Sequence, residues 1–138
     1  MNTRFSSLVT VKKNEVDKSE RAVQNANKDF QNATQSLELS YSSLGAMELP
    51  KSGTIAQMLA SRTLINSQRT QISQHKEWLE FASSQLKSAQ KKLKLDMIEF
   101  EKFKYLELEE MKQMIKQKKI EEAKELDEIA LMTYKKTS

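Results

Sequence analysis

The chain has 138 residues, a formal net charge of +4, 30% charged and 7% aromatic side chains. This composition is typical of long or coiled helices and argues against a layered globular core. Cysteine is absent, which excludes disulfides and thiolate metal sites. No run of about 18 apolar residues is present, so we expect no membrane span. Because the first residues lack an apolar core, we expect no signal peptide. The mild positive charge does not by itself require nucleic acid as a partner.

The first predicted helix covers about residues 3–44 and carries apolar side chains at a strict seven-residue interval. That row is Val9, Val16, Val23, Phe30, Leu37 and Leu44. A second row with the same interval is mostly small or polar: Phe5, Lys12, Ser19, Ala26, Ala33 and Ser40. Two such rows form the seam of a coiled coil, meaning the strip of side chains that faces the partner helix. Small seam residues permit close approach of the helices but bury little area.

A turn is predicted over residues 45–53, which contain both glycines and the only proline. Gly45 suits the left-handed position that ends a helix, and Pro50 cannot continue one. Thr54 and Gln57 have the spacing of a capping box, in which each side chain accepts a hydrogen bond from the other residue's backbone amide. One helix therefore ends near Leu44 and the next begins near Thr54.

The second predicted helix covers about residues 54–135, and in it the seam returns. Its apolar row is Met58, Ile65, Ile72, Leu79, Leu86, Leu93 and Phe100, and its companion row is Ser61, Gln68, His75, Ala82, Ala89, Asp96 and Phe103. A repeat of seven drifts around a straight helix, so its persistence implies supercoiling with a partner. An antiparallel register that places Leu44 opposite Met58 and Val9 opposite Leu93 matches the two apolar rows throughout.

These rows predict an all-α fold, a long antiparallel two-helix coiled-coil hairpin with an overhanging C-terminal helix. We expect residues 1–138 to form a single hairpin. Beyond Phe100 the strict row is broken, at Glu107, and the first helix has no residues left to cover the second. Residues 101–138 balance nine lysines against nine acidic residues. Such a run is often only the solvent-exposed face of a helix. A long helix that packs against nothing in its own chain is, however, also typical of a segment that binds another protein. We interpret residues 101–138 as such a docking element.

The sequence predicts no enzyme, no cofactor and no metal site, since two paired helices offer no pocket in which catalytic groups converge. His75 is the only histidine. We interpret it as a polar residue at the seam edge rather than as a metal ligand or catalytic acid/base. The seven methionines fit gap-filling in an irregular seam, or alternatively a promiscuous binding face.

Both ends of the chain resemble the FliJ family, the small coiled-coil component of the bacterial flagellar type III export apparatus. Residues 4–13, Arg-Phe-Ser-Ser-Leu-Val-Thr-Val-Lys-Lys, look like the opening segment of the family. Residues 122–130, Glu-Ala-Lys-Glu-Leu-Asp-Glu-Ile-Ala, are similar to its Lys/Gln-Lys-Glu-Leu-Asp-Glu close. Length, turn position and helix asymmetry match as well. The segment before that close carries Lys where the family commonly carries Arg.

The resemblance implies a place in the export apparatus. Family members resemble the central-stalk γ subunit of rotary ATPases, sit in the pore of the hexameric export ATPase and promote its assembly. They also contact the transmembrane export gate protein and hand on export chaperones. A cytoplasmic protein is implied, peripheral at the cytoplasmic face of the inner membrane, without nucleic acid or direct membrane insertion. The implied ATPase-binding candidates are Arg4, Phe5, Leu8, Lys12, Met111, Ile115, Leu126 and Ile129.

A second candidate surface lies on the flank of the seam near the turn. Leu64, Gln71 and Trp78 repeat every seven residues, one place ahead of the apolar row, with Gln68 and His75 between them. We expect Tyr41 of the first helix to lie close to Leu64 and to extend this surface. The aromatic residues either shield the seam flank or act as binding anchors. In FliJ relatives the middle of the hairpin is where the export gate docks, so the implied gate-binding candidates are Tyr41, Leu64, Gln68, Gln71, His75 and Trp78.

Two other classes of helical hairpin fit part of the pattern. An RNA-binding arm requires Lys and Arg on one face with aromatic stacking residues, whereas this tail balances its signs. A steep loss of binding with salt would favour RNA. A holdase chaperone resembling prefoldin needs short strands between its helices, for which a nine-residue turn has no room. A multimer that protects client proteins would favour that class.

Overall fold

The computed structural model describes residues 2–48 and 53–137, with side chains described as far as residue 135. Helix α1 spans Ser6–Ala46 and helix α2 spans Ile55–Thr137, and no strand occurs among the described residues. The two helices pack against each other in antiparallel directions, so residues early in α1 meet residues late in the paired part of α2. This confirms the predicted all-α class. No helix in the described part of the chain is long and apolar enough to cross a membrane.

The start of α1 is fixed by hydrogen bonds from the chain just before it. The amide of Thr3 donates to the Ser6 hydroxyl at 2.9 Å, and the Phe5 amide donates to the Thr3 hydroxyl at 3.2 Å. These bonds satisfy backbone donors that have no partner inside the helix. As a result, Phe5 is held at a defined position one residue before α1.

The start of α2 has the predicted capping box. The Gln57 amide donates to the Thr54 hydroxyl and the Thr54 amide donates to Gln57 Oε1, both at 3.2 Å. The prediction for Gly45 is wrong, because Gly45 lies inside α1 and its φ is not positive. The last turn of α1 closes instead through a bond from the Met47 amide to the Leu44 carbonyl at 3.1 Å. The positive φ, 153°, occurs at Gly53. Pro50 lies outside the described residues.

The contacts divide the chain into two units. Residues 17–94 form what we call the turn unit, and residues 1–16 with 95–138 form the terminal unit. In the turn unit the buried side chains are small or of medium size: Ser19, Ala33, Ser40, Ile72 and Ala82. In the terminal unit Val16 is buried, and the phenylalanines at positions 5, 100 and 103 are half-buried. Each of these residues belongs to one of the predicted rows, so the predicted seam is confirmed.

The predicted register, by contrast, is wrong by about one heptad. Ser40 accepts a hydrogen bond from Gln68, and Phe5 packs against Phe103, whereas the predicted register places residues 62 and 97 opposite them. Phe30 and Leu79 line one shallow recess, and Met58 is exposed. A shift of one heptad leaves both rows facing each other, so periodicity alone cannot distinguish the two registers. The observed register carries the packing beyond Phe100, where the predicted seam ended.

Candidate functional site

In the terminal unit, the first candidate surface is built on two phenylalanines that meet across the helices. The ring centroids of Phe5 and Phe103 are 6.4 Å apart and the rings are tilted by 45°, a favourable geometry for an aromatic pair. The hydrogen bonds before α1 fix Phe5, and the companion row of α2 presents Phe103. Phe100 lies one turn earlier on α2, and we call these three residues the phenylalanine cluster.

Basic side chains cover the faces of the phenylalanine cluster. Arg4 lies over Phe5 at 5.0 Å, and Lys12 lies over Phe103 at 5.7 Å. Such cation–π contacts are worth about 0.5–1 kcal/mol each at exposed sites. Three further contacts of this kind place Lys102 at Phe103 and both Lys13 and Lys104 at Phe100, and none of them exceeds 5.9 Å. The cluster is therefore an apolar patch rimmed by positive charge.

Acidic side chains join this rim at two points. Glu110 Oε2 lies 3.4 Å from Arg4 Nε, an ion pair in which Arg4 is 77% and Glu110 is 26% exposed. The contact lacks hydrogen-bond geometry, and Glu110 Oε2 has no other partner among the described atoms. Glu15 lies 3.5 Å from Lys12 on the same helix. Because Arg4 is largely in water, we assign little net stability to its ion pair.

The C-terminal segment, residues 112–135, is helical and exposed along its whole length. Of the ATPase-binding candidates, Ile115, Leu126 and Ile129 lie on it and are exposed, while Met111 just before it is half-buried. Arg4, Phe5 and Lys12 meet around the phenylalanine cluster. Leu8 is exposed on the first turn of α1.

In the turn unit, the gate-binding candidates do not form one surface. Gln68 lies in the seam, where its Nε2 donates to the Ser40 carbonyl at 3.0 Å, and His75 is also partly buried there. Leu64, Gln71 and Trp78 are exposed and form what we call the turn-proximal stripe. The expectation that Gln68 and His75 lie beside the seam is therefore wrong.

Tyr41 lies on the opposite flank from Trp78. Lys76 Nζ lies 5.6 Å from the ring centroid of Tyr41. Lys76 and Trp78 are two residues apart, which is about 200° around a helix. The expected continuation of the stripe from Leu64 to Tyr41 is therefore wrong, and the cause is the change of register. Tyr41 and Trp78 are each about half exposed, at 46% and 41%.

Sequence reasoning did not single out the residues that rim the phenylalanine cluster. The signal was present, since Phe100 and Phe103 end the two rows of α2 and lysines lie beside them in sequence. What was missing is the register, which decides which residues of α1 reach those rings. The residues not predicted are Lys13, Phe100, Lys102, Phe103, Lys104 and Glu110.

The profile of the family described as Flagellar FliJ protein matches residues 1–138. The chain belongs to the FliJ family. FliJ-family proteins are non-catalytic components of the flagellar type III export apparatus, and their partners are other components of that apparatus. The resemblance seen at the two ends of the sequence is thus confirmed.

A solved structure supports the fold of this FliJ-family chain. It is that of a proposed YscO homolog, CT670, from Chlamydia trachomatis, with a TM-score of 0.51 and 19% sequence identity. The match covers 98% of this chain and 96% of the other. No curated protein sequence matches at a significant level. No group of three or more potential metal-ligating acidic or histidine side chains occurs among the described residues.

Proposed function

We propose that this FliJ-family chain docks in the ring of the flagellar export ATPase and promotes ring assembly. We also propose that it links the ring to the transmembrane export gate and to the export chaperones, in the cytoplasm at the inner membrane. The single observation that carries the docking proposal is the C-terminal segment. Twenty-four consecutive helical residues, 112–135, are exposed although they include large apolar side chains.

The C-terminal segment buries no apolar face against the described part of the chain. Isolated helices gain little stability from propensity alone, and most helices in proteins are stabilised by burying an apolar face. Ile115, Leu126 and Ile129 project from one face of α2, at 45%, 66% and 59% exposure. A partner that covers this face gains apolar burial that the chain itself leaves unused.

The docking proposal is tested by changing one exposed leucine and a matched control. Leu126→Asp places a charge on the proposed docking face, and Leu39→Asp places one on α1 of the turn unit at almost the same exposure, 66% against 68%. We expect Leu126→Asp to weaken binding to the purified export ATPase about tenfold or more, a loss of roughly 1.4 kcal/mol. Leu39→Asp should bind and stimulate the ATPase as the unchanged chain does. Equal behaviour of the two variants would contradict the proposed face.

The gate contact is assigned to the turn-proximal stripe. Leu64 and Trp78 leave neighbouring apolar area open there, at 62% and 41% exposure, whereas Tyr41 on the opposite flank, at 46% exposure, has Lys76 Nζ 5.6 Å from its ring centroid. Half-exposed tryptophans are typical anchors of protein interfaces. We expect Trp78→Ala to weaken binding to the cytoplasmic domain of the gate protein by about 1–2 kcal/mol. Tyr41→Ala serves as the comparison on the other flank, and a larger loss there would move the contact to the Tyr41 side.

A further inference from the structure

The exposed C-terminal segment has its charges separated into two halves. Residues 112–119 contain four lysines and no acidic residue, and residues 121–128 contain five acidic residues and one lysine. Position 120 between them is an isoleucine. The C-terminal segment is therefore close to neutral in net charge, but it consists of a basic half followed by an acidic half of equal length.

One face of the segment combines this polarity with an apolar stripe. At about 100° per residue, the side chains of Leu108, Met111, Ile115, Leu126 and Ile129 lie within an arc of roughly 80°. Lys119 and Glu122 lie in the same arc, at the middle of the stripe. From Ile115 onward these side chains are exposed. The face is thus apolar at both ends and carries one positive and one negative residue at its centre.

The middle of this face, from Ile115 to Leu126, is complementary to itself when it is turned end over end. If two copies lie antiparallel with their midpoint between Ile120 and Glu121, Ile115 of each copy is level with Leu126 of the other. Lys119 of each copy is then level with Glu122 of the other, and each basic half runs beside an acidic half. A parallel pair would instead align lysines with lysines, and like charges at close range are destabilising.

We propose that two copies of this chain pair antiparallel through their C-terminal segments, about a midpoint between Ile120 and Glu121. The central Lys119–Glu122 pairs fix register and direction, as polar residues in a coiled-coil seam do. A partner of a single charge sign would be repelled by one half of the segment, whereas a second copy is attracted along both. This inference goes beyond the proposed function. Since it covers the same stripe, a paired chain is unavailable to the ATPase.

The charge pattern is tested with two variants of the full chain. Lys118→Glu with Lys119→Glu makes residues 112–119 net neutral and sets two carboxylates against each other at the centre of the pair. Glu121→Lys with Glu122→Lys makes residues 121–128 net neutral and sets two ammonium groups against each other there. We expect the unchanged chain to sediment as a concentration-dependent dimer, with a dissociation constant that rises with added salt because salt screens exposed charges. Each variant alone should be monomeric under the same conditions. An equimolar mixture of the two should dimerise again, because each then meets its opposite.

Matched controls separate charge at this site from net charge and from helix loss. Lys91→Glu with Lys94→Glu makes the same change in net charge at two exposed positions of the turn unit, and it should leave the dimer unchanged. Circular dichroism on each sample reports whether the helix is retained. Recovery of the dimer on mixing cannot arise from repair within one chain, so it is diagnostic even if one variant loses helicity.

The direction and register of the pair are tested by disulfide cross-linking. Because the chain has no native cysteine, only the introduced cysteines can react. Ile115→Cys mixed with Leu126→Cys should oxidise to a disulfide-linked heterodimer, since the two positions are level in the proposed pair. Ile115→Cys alone should not cross-link efficiently, because its two copies lie about 16 Å apart along the axis, beyond disulfide reach. A monomeric unchanged chain at all accessible concentrations would overturn the proposal. So would a dimer that persists in both charge variants, or efficient cross-linking of Ile115→Cys with itself. Because no ATPase is present, these outcomes are independent of the docking proposal.

Discussion

The two units of this hairpin pack the same pair of helices with different chemistry. The turn unit buries alanines and serines, with Ala33 fully buried and Ser40 almost so. The terminal unit instead packs phenylalanines, with Phe5 against Phe103 and basic side chains over the rings. Burial of an aromatic ring contributes far more free energy than burial of an alanine methyl group. We infer that much of the free energy that holds the pairing is concentrated near the start of α1.

The register of the two helices is determined by contacts that do not repeat every seven residues. Repeating rows of small and apolar residues determine that the helices pair, but they fit equally well after a shift of seven residues. Contacts that do not repeat include the Phe5–Phe103 pair in the terminal unit and the Gln68–Ser40 hydrogen bond in the turn unit. A shift of one heptad would break both. Each unit therefore has its own contact that specifies register.

The largest expected effect is the removal of an aromatic ring from the terminal unit. Phe103→Ala should lower the free energy of unfolding by about 2–3 kcal/mol, less than the ~3–5 kcal/mol for a buried phenylalanine because the ring is only half-buried. Urea denaturation followed by circular dichroism measures the loss. Phe81→Ala is the matched control in the turn unit, where the ring is 62% exposed. If the two substitutions lower the free energy of unfolding by the same amount, the stability is not concentrated in the terminal unit.

A slightly smaller effect is expected from enlarging the narrow seam of the turn unit. Ala33→Leu should destabilise the chain by about 1–3 kcal/mol, because the added side chain has no space and forces the helices apart. Ala22→Leu at an exposed position of α1 should be nearly neutral in the same denaturation experiment. A neutral or stabilising result at position 33 would show that the seam is loosely packed.

The seam glutamine should respond differently to two substitutions. Gln68→Ala removes both the bond to the Ser40 carbonyl and the packed side chain, and we expect a loss of about 1 kcal/mol. Gln68→Leu removes the bond but adds apolar burial, and the carbonyl keeps its position within a helix, so we expect no loss. If Gln68→Leu is as destabilising as Gln68→Ala, the hydrogen bond rather than the packing determines stability here. Thermal melts of the two variants give this ordering.

The smallest expected effect concerns the ion pair of the terminal unit. Arg4→Ala should change the free energy of unfolding by less than about 0.5 kcal/mol, since the Arg4 side chain is 77% exposed and surface pairs contribute little. A double-mutant cycle with Glu110→Gln isolates the coupling between the two residues. A coupling above about 1 kcal/mol would mean that Arg4 is a structural residue and not simply part of an exposed basic rim.

The sequence predicted the fold well where local signals act. The heptad rows identified the seam residues, and the spacing of Thr54 and Gln57 identified the capping box, because both depend only on neighbours in sequence. The register could not be obtained in this way, since it depends on residues far apart in sequence. That error carried over to the candidate sites. It moved Tyr41 to the wrong flank and left Phe100 and Phe103 out of the terminal surface. The end of α1 lies within two residues of the predicted end near Leu44, but the expected role of Gly45 is wrong, since Gly45 is a helical residue next to the last one, Ala46.

The position of Trp78 has an optical consequence. It is the only tryptophan of the chain and is 41% exposed on the turn-proximal stripe. Its fluorescence therefore reports on one flank of the turn unit without any label. A ligand that covers this flank excludes water from the indole of Trp78 and shifts its fluorescence emission to shorter wavelength. An event confined to residues 112–135 leaves the emission unchanged. Titration of the unlabelled chain with each partner, followed by tryptophan emission, can thus tell whether the partner binds the turn-proximal stripe or residues 112–135.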